Sequence, residues 1–375
     1  MDHQMSLECI PLEIIETFEL DLLDVISLQR LSKSMYQFIK DTPPRIFSVE
    51  IFQKGMEPWI HILMNIEVHR SDIKILARFS NVRVLNLSHT PVKDVSALGK
   101  VHTLDLTYTK VKDVSALGNV RILNLSNTPV KDVSALGKVH TLNLCGTQIK
   151  DVSALGGVHT LDLYCTDVED VSALTKVHTL NLSYTNIKDV SCLGQVYILN
   201  LQGTLVENVS ALGKVHTLNL SSTNVEDVSN LGKVHTLNLS ATKVKDVSNL
   251  GEVYDLCLSH TLVEDVSALG KVHTLNLFHT KVKDASNLGE VYDLCLSHTQ
   301  VEDVSALGKV HTLDISHTLV EDVSALGKVH TLDLSSTNIK DVSALGEVHT
   351  LDVSNTKVKL KNLSALSKVK SLYCY

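Results

Sequence analysis

From Val82 to Val348 a valine returns every 19 residues, and behind each one the same order of apolar and polar positions is repeated. In the copy that starts at Val101, the apolar positions are Val101, Leu104, Leu106, Val111, Val114 and Leu117. Leu104 and Leu106 flank Asp105, the alternation of a short strand with one buried face and one wet face. Val111, Val114 and Leu117 advance in steps of three, which predicts a 3₁₀-like or one-turn helical segment on the other side of the coil. Asp113 or Ser115 is placed to cap that turn, and Gly118 to end it in a left-handed conformation. A unit this short buries its apolar columns only against neighbouring coils. The pattern therefore predicts a solenoid with one coil per period, presenting long surfaces rather than pockets.

The first strand leucine recurs without exception from Leu85 to Leu351, and a threonine stands behind the second strand position from Thr90 to Thr356. Where each coil leaves its strand, backbone N–H and C=O groups need partners inside the stack. A short hydroxyl side chain suits that need, so the threonines are expected to form a ladder. The concave face is expected to carry Thr103, Asp105, Thr107 and their equivalents, which are small and polar.

The spacing LxxLxLxxTxV resembles the leucine-rich-repeat signature, with Thr where that family usually has Asn or Cys, and DVSAL resembles internalin-like bacterial repeats. The resemblance implies an α/β solenoid: a leucine-rich-repeat arc with parallel strands on one face and short 3₁₀ or one-turn segments on the other. A period of 19 residues is just under the usual repeat length, which implies a flat arc or twisted rod. Leu63, Ile66, Val68, Ile73, Leu76 and Phe79 keep the register of the repeats, so 63–81 reads as a degenerate capping repeat ahead of the solenoid, 82–375. Leu360 and Lys361 mark a small insertion before a last strand near Val369 and Leu372.

Residues 1–45 do not follow the period and have helical spacing; 46–62 connect them to the repeats. Ile10-Pro11, Glu13, Ile14, Ile15 and Phe18, followed by DVISLQRLSK, resemble an F-box. The stretch from Phe18 to Asp24 is one residue shorter than the family's pattern, and Met35 stands where many F-boxes have an aromatic residue. The resemblance implies a small helical module in which Pro11, Ile14, Ile15, Phe18, Leu28 and Leu31 dock on a Skp-type adaptor of a cullin-RING ubiquitin ligase. The repeats would then hold an unknown protein substrate. The alternative is a helical cap that only covers the first coil, since so small a module cannot bury its apolar face alone. Chains that join an F-box to such uniform repeats resemble proteins encoded by large DNA viruses of amoebae.

Composition narrows the field. With 34 Lys and Arg against 42 Asp and Glu, a net charge of −8 and no basic stripe, nucleic acid is not an expected partner. No apolar run is long enough to span a membrane, and MDHQMSLE lacks the segments of a signal peptide. The 7 cysteines show no CxxC spacing and fit a reducing compartment. Cytoplasm or nucleus is the expected location, host cytoplasm if the chain is viral.

The chain has no phosphate loop, nucleophile elbow or HExxH, and its Ser, His and Asp residues form periodic columns rather than triads. No enzyme activity, cofactor or catalytic residue is expected. Most of the 18 histidines sit at the strand entry, as His102, His140, His159, His178 and His216 do, where Tyr197, Tyr254 and Tyr292 substitute for them. That exchange predicts stacking along the coil edge. His260, His279, His298 and His317 form a second ladder at the strand exit, which could hold a transition metal or repel itself when protonated. The near-identity of 252–289 and 290–327 accounts for the same ladder by duplication alone, and no metal site is assigned. In an array this uniform the departures carry the information. Tyr108, Tyr164, Tyr184, Gln202 and Phe278 replace small residues at the strand exit, with Cys145 and Cys165 near the two central tyrosines. Together with the four-histidine ladder they are the candidate substrate contacts.

Overall fold

In the computed structural model, residues 49–52, 62–64, 83–359 and 365–374 are described. The F-box-like segment with Pro11, Ile14, Ile15, Phe18, Leu28 and Leu31 lies outside them, as does most of 63–81. The chain divides into two compact units, and the one made of Glu50–Ile62 and Val68–Tyr375 holds the repeats.

Each full repeat makes one strand of three residues. Strands β3 (Val84–Asn86) to β18 (Ser371–Tyr373) pair in parallel, each with the next in sequence, after the short strands β1 (Val49–Phe52) and β2 (Ile62–Met64). In β1, Ile51 and Phe52 lie antiparallel to β3, opposite Leu85 and Val84. From β3 on, leucine meets leucine in every pair, as Leu218 meets Leu237. The last pairing sets Leu351 against Leu372, an offset of 21 residues instead of 19, so the insertion near Leu360 is absorbed without loss of register.

The strands are short because only two leucines per coil point inward. Leu104 and Leu106 are buried, and so are Val101, Val111, Val114 and Leu117, the six apolar positions seen in the sequence. Burying a side chain of this size stabilises by about 1.5–3 kcal/mol, and in a solenoid nearly all of it comes from the adjacent coils. On the side away from the strands, Ser115–Leu117 and its equivalents form 3₁₀ turns. The Asp113 carboxylate accepts the N–H of Ser115 at 2.9 Å. In the coils with Asn230 and Asn249 the Leu N–H still bonds the Val carbonyl, and in the coil with Asn287 Leu288 bonds that of Ala285, but these coils, like the one with Ala97, form no regular 3₁₀ turn.

Two expectations are corrected. Gly118 is right-handed, with φ −60° and ψ −14°. Glycine stands there because a Cβ would lie 2.4 Å from the carbonyl oxygen of Ala135 in the next coil. The threonines form no ladder between coils. Thr109 Oγ1 donates to the carbonyl of Leu106 in its own coil at 2.7 Å, and Thr128 and Thr147 do the same at 2.6 Å. The hydroxyl thus gives a partner to the carbonyl three residues back in its own coil.

Candidate interaction surface

The strand exit is built from two successive residues, an exit residue such as Thr107 and a turn residue such as Tyr108. The exit N–H is held by the Asx residue between the two leucines: Asp105 Oδ1 accepts the Thr107 N–H at 2.9 Å, and Asn143 Oδ1 accepts that of Cys145 at 2.9 Å. This role was not read from the sequence, where Asp105 counted only as an outward polar residue. Its signal is the Asn or Asp that stands between the leucines in most copies. Exit side chains of successive coils then meet, as Thr107 and Ser126 do at 3.2 Å and Ser297 and Ser316 at 2.8 Å.

The turn residue is left-handed in every full coil. Its φ is +56° at Tyr108, +54° at Cys165, +57° at Tyr184 and +58° at His260, although none of these is glycine. The turn N–H pairs with the exit carbonyl of the next coil, as Tyr184 pairs with Gln202 at 2.8 Å. A left-handed residue here aims its side chain off the stack, so the column is exposed except at Gly203 and Ser336, which are half-buried.

The candidate contacts fall into three groups. Tyr164 and Tyr184 meet edge to face, with ring centroids 5.5 Å apart, and Gln202 Nε2 donates to Tyr184 Oη at 3.3 Å. The Tyr184 ring also lies over Gly203, where a Cβ would come within 2.9 Å of it. Phe278 is half-buried between His260 and His298, at centroid distances of 5.1 and 5.2 Å. His279 stands 4.9 Å from His260, and His317 stacks on His298 at 4.2 Å. Tyr108 belongs to neither cluster and stacks on His89 at 4.8 Å. Tyr108 and Tyr184 are at least half exposed, at 56% and 50%. The pKa of His298 is lowered, first by partial desolvation and then by the charges of His317 and His279, with Asp314 opposing them.

At the strand entry the rings form one continuous stack from His140 to His349, with neighbouring centroids 4.5–4.9 Å apart and Tyr197, Tyr254 and Tyr292 in the same file. Stacking is the arrangement the His-for-Tyr exchange implied. Each entry histidine also places Nδ1 near the next threonine hydroxyl, as His140 does with Thr141 at 3.2 Å.

Among the described residues no three His, Cys, Asp or Glu side chains are grouped to hold a metal ion. A shallow depression of about 290 Å³ lies on the turn side, lined by Glu226, Asp227, Val228, Ser229, Asp246 and Asn249. Its Ser229 N–H is taken by Asp227, and no histidine or cysteine lines it. No helix among the described residues is long and apolar enough to cross a membrane.

Parallel three-residue strands, 3₁₀ turns opposite them and leucine columns in unbroken register define a leucine-rich-repeat solenoid. Solved structures with the same architecture include a leucine-rich-repeat protein of Leptospira interrogans, at TM-score 0.66 and 16% identity over 79% of this chain and 91% of that one. An internalin of Listeria monocytogenes aligns at TM-score 0.54 and 19% identity over 84% and 91% of the two chains. The plant peptide hormone receptor RGFR1, in complex with RGF2, aligns at TM-score 0.56 and 14% identity over 80% and 64%. No protein-family model matches the chain, and no curated protein does. The similarity lies in the fold.

Proposed function

We propose that this protein is a non-enzymatic protein-binding solenoid whose strand-exit edge is the contact surface. One observation carries the reading. On an edge otherwise made mostly of serine, threonine and other small residues, Tyr164, Tyr184 and Gln202 come together across three coils, and Phe278 packs with the exposed His260, His279 and His298, on the last of which His317 stacks. Exposed aromatic clusters in a surface poor in anchors are where binding energy concentrates. A solenoid of the same fold found in complex with RGF2 supports the same use.

The finer form of the proposal is a substrate receptor. Its support is the resemblance of Ile10-Pro11, Glu13, Ile14, Ile15, Phe18 and DVISLQRLSK to an F-box. In that form Pro11, Ile14, Ile15, Phe18, Leu28 and Leu31 bind a Skp-type adaptor while the edge holds a protein target. The test is proximity capture by the full chain in cells, beside two variants. A triple serine variant of Tyr164, Tyr184 and Phe278 is expected to lose most captured targets while keeping the adaptor. A Phe18→Asp, Leu31→Asp variant is expected to do the reverse. Capture unchanged by the triple variant would remove the edge from the reading. Absence of adaptor from the wild type would leave a binding scaffold only.

A further inference from the structure

We infer that Cys145 and Cys165 are the two halves of a reversible disulfide at the edge of the tyrosine cluster. Cys145 is an exit residue and Cys165 the turn residue of the next coil, so the two are related by one coil and one residue. Every exit residue stands in this relation to the next turn residue, and at the two exits that carry a ring the pair is in side-chain contact: Tyr164 with Tyr184 at 5.5 Å and Phe278 with His298 at 5.2 Å. The diagonal from exit to next turn is thus a line of contact in this fold.

The backbone geometry agrees. Neighbouring coils are about 4.8 Å apart along the sheet and one residue of offset adds about 3.8 Å across it, giving a Cα separation near 6 Å, inside the range of disulfides. The Gly146 N–H bonds the Tyr164 carbonyl at 2.9 Å, and the Cys165 N–H bonds that of Ser183 at 3.0 Å, so both coils are held in place on either side of the pair. Both thiols are free, Cys165 exposed and Cys145 half-buried. Burial raises the Cys145 thiol pKa first, and the charges of Asp162 and Cys165 add to it, which places the two sulfurs within electrostatic reach. The remaining described cysteines have no such relation. Cys257 and Cys295 lie two coils apart, and Cys192 sits in the turn opposite the strands, its Sγ 3.5 Å from the Val171 carbonyl.

The chemistry is thiol–disulfide exchange with a small disulfide oxidant such as glutathione disulfide. The exposed Cys165 thiolate attacks one sulfur of the oxidant, forming a mixed disulfide and releasing one glutathione thiolate, which takes up a proton. The Cys145 thiolate then attacks the Cys165 sulfur and expels the second glutathione. Two protein thiols are oxidised and one glutathione disulfide is reduced to two thiols. The bond would tie coil 139–157 to coil 158–176 at Cys165, the residue next to Tyr164, so oxidation would restrain that tyrosine. This effect on recognition rests on the proposed function; the bond itself does not.

The test is incubation of the folded full chain with glutathione disulfide, followed by acid quenching, trypsin and mass spectrometry without reduction. Trypsin separates the two cysteines at Lys150. The expected product is a peptide pair linked through Cys145 and Cys165, from a monomer that has lost two hydrogens. Cys145→Ser is expected to stop at a stable glutathione adduct on Cys165, and Cys165→Ser to give no link. Serine already occupies both columns, at Ser126 and Ser222 for example, so neither variant should disturb the fold. A wild-type adduct that persists on Cys165 beside a free Cys145 would overturn the proposal, as would a link from either residue to Cys374 or to a second chain. Binding measured on oxidised and reduced protein then tests the effect on recognition separately.

Discussion

Each coil bends twice, and the two bends are held by opposite rules. At the turn side the backbone is right-handed, which any residue can adopt, yet glycine fills the position from Gly99 to Gly346 with Thr175 as the exception. At the strand exit the backbone is left-handed, which favours glycine, yet the column holds His, Tyr, Asn, Cys, Ser and Ala, with only Gly146 and Gly203 as glycines. The comparison shows which constraint is stronger. A carbonyl from the next coil stands where a Cβ would go on the turn side, and Thr175 alone carries a side chain there. A left-handed residue costs about 1–2 kcal/mol, which the coil-to-coil hydrogen bonds and the packing beneath can absorb. Variation is therefore tolerated at the exit, and the proposed contact residues Tyr108, Tyr184 and His260 are found there.

The comparison can be broken most directly at Gly232, where an added Cβ would sit 2.2 Å from the Asn249 carbonyl oxygen. Gly232→Ala is expected to cost about 3 kcal/mol in urea unfolding; a loss below about 0.5 kcal/mol would show that the coils move apart freely. The reverse change is available at Thr175, which has the same right-handed backbone, φ −57° and ψ −21°. Thr175→Gly is expected to raise stability by about 1 kcal/mol, the relieved crowding outweighing the greater freedom of glycine in the unfolded chain. No gain would mean that the stack has already repacked around that side chain.

Thr242→Val tests the bond that replaced the expected ladder. Thr242 Oγ1 donates to the Leu239 carbonyl at 2.6 Å, and that carbonyl also accepts the Thr242 N–H at 3.3 Å. The loss should be about 1 kcal/mol, since the carbonyl keeps one partner; a loss above about 3 kcal/mol would mean the hydroxyl serves more than one coil. At the exit, Ala241 has φ +56°. Ala241→Gly is expected to gain about 0.5 kcal/mol, less than the strain removed because glycine is more flexible when unfolded. A clear loss would mean that the exit is not strained.

Acid should act in two stages. The pKa values of His140, His298 and His349 are lowered from 6.5, first by desolvation and then by nearby positive charge. The unfolded chain thus binds these protons more readily, and stability present above pH 6.5 falls as pH drops below it. The turn-side carboxylates, Asp113 and Asp132 among them, are held below 3.8 by bonds from Ser115 and Ser134. Their contribution is complete above that value and is lost as pH falls through the folded pKa values. Unfolding midpoints measured from pH 8 to pH 3 should show both declines; a flat profile through the upper one would exclude the histidines.

The fold was legible because periodicity is a property of sequence alone. The leucine columns, the 3₁₀ turns, the insertion near Leu360 and the stacking of entry histidines all follow from spacing. The errors share one cause. Gly118 reads equally well as a left-handed stop or as a site of close approach, and only the position of Ala135 one coil away decides between them. Thr109 reads as a partner for the next coil until the Leu106 carbonyl is seen beside it. The candidate surface was legible as a set of departures from the repeat. Its grouping was not, because contact between an exit residue and the next turn residue depends on the left-handed bend.

The unbroken leucine register has a consequence for the array as a heritable object. Every coil offers the same pairing edge to the one before and the one after, so any coil is an acceptable neighbour for any other. Exact removal or duplication of 19 residues, or of the 38 that relate 252–289 to 290–327, leaves each junction with the same hydrogen bonds and the same buried columns. Length then becomes nearly free to vary, and what changes between a longer and a shorter array is the distance separating Tyr184 from Phe278. Such a chain can be refitted to a partner of different span by adding or removing coils between its two aromatic clusters, without altering a residue in either.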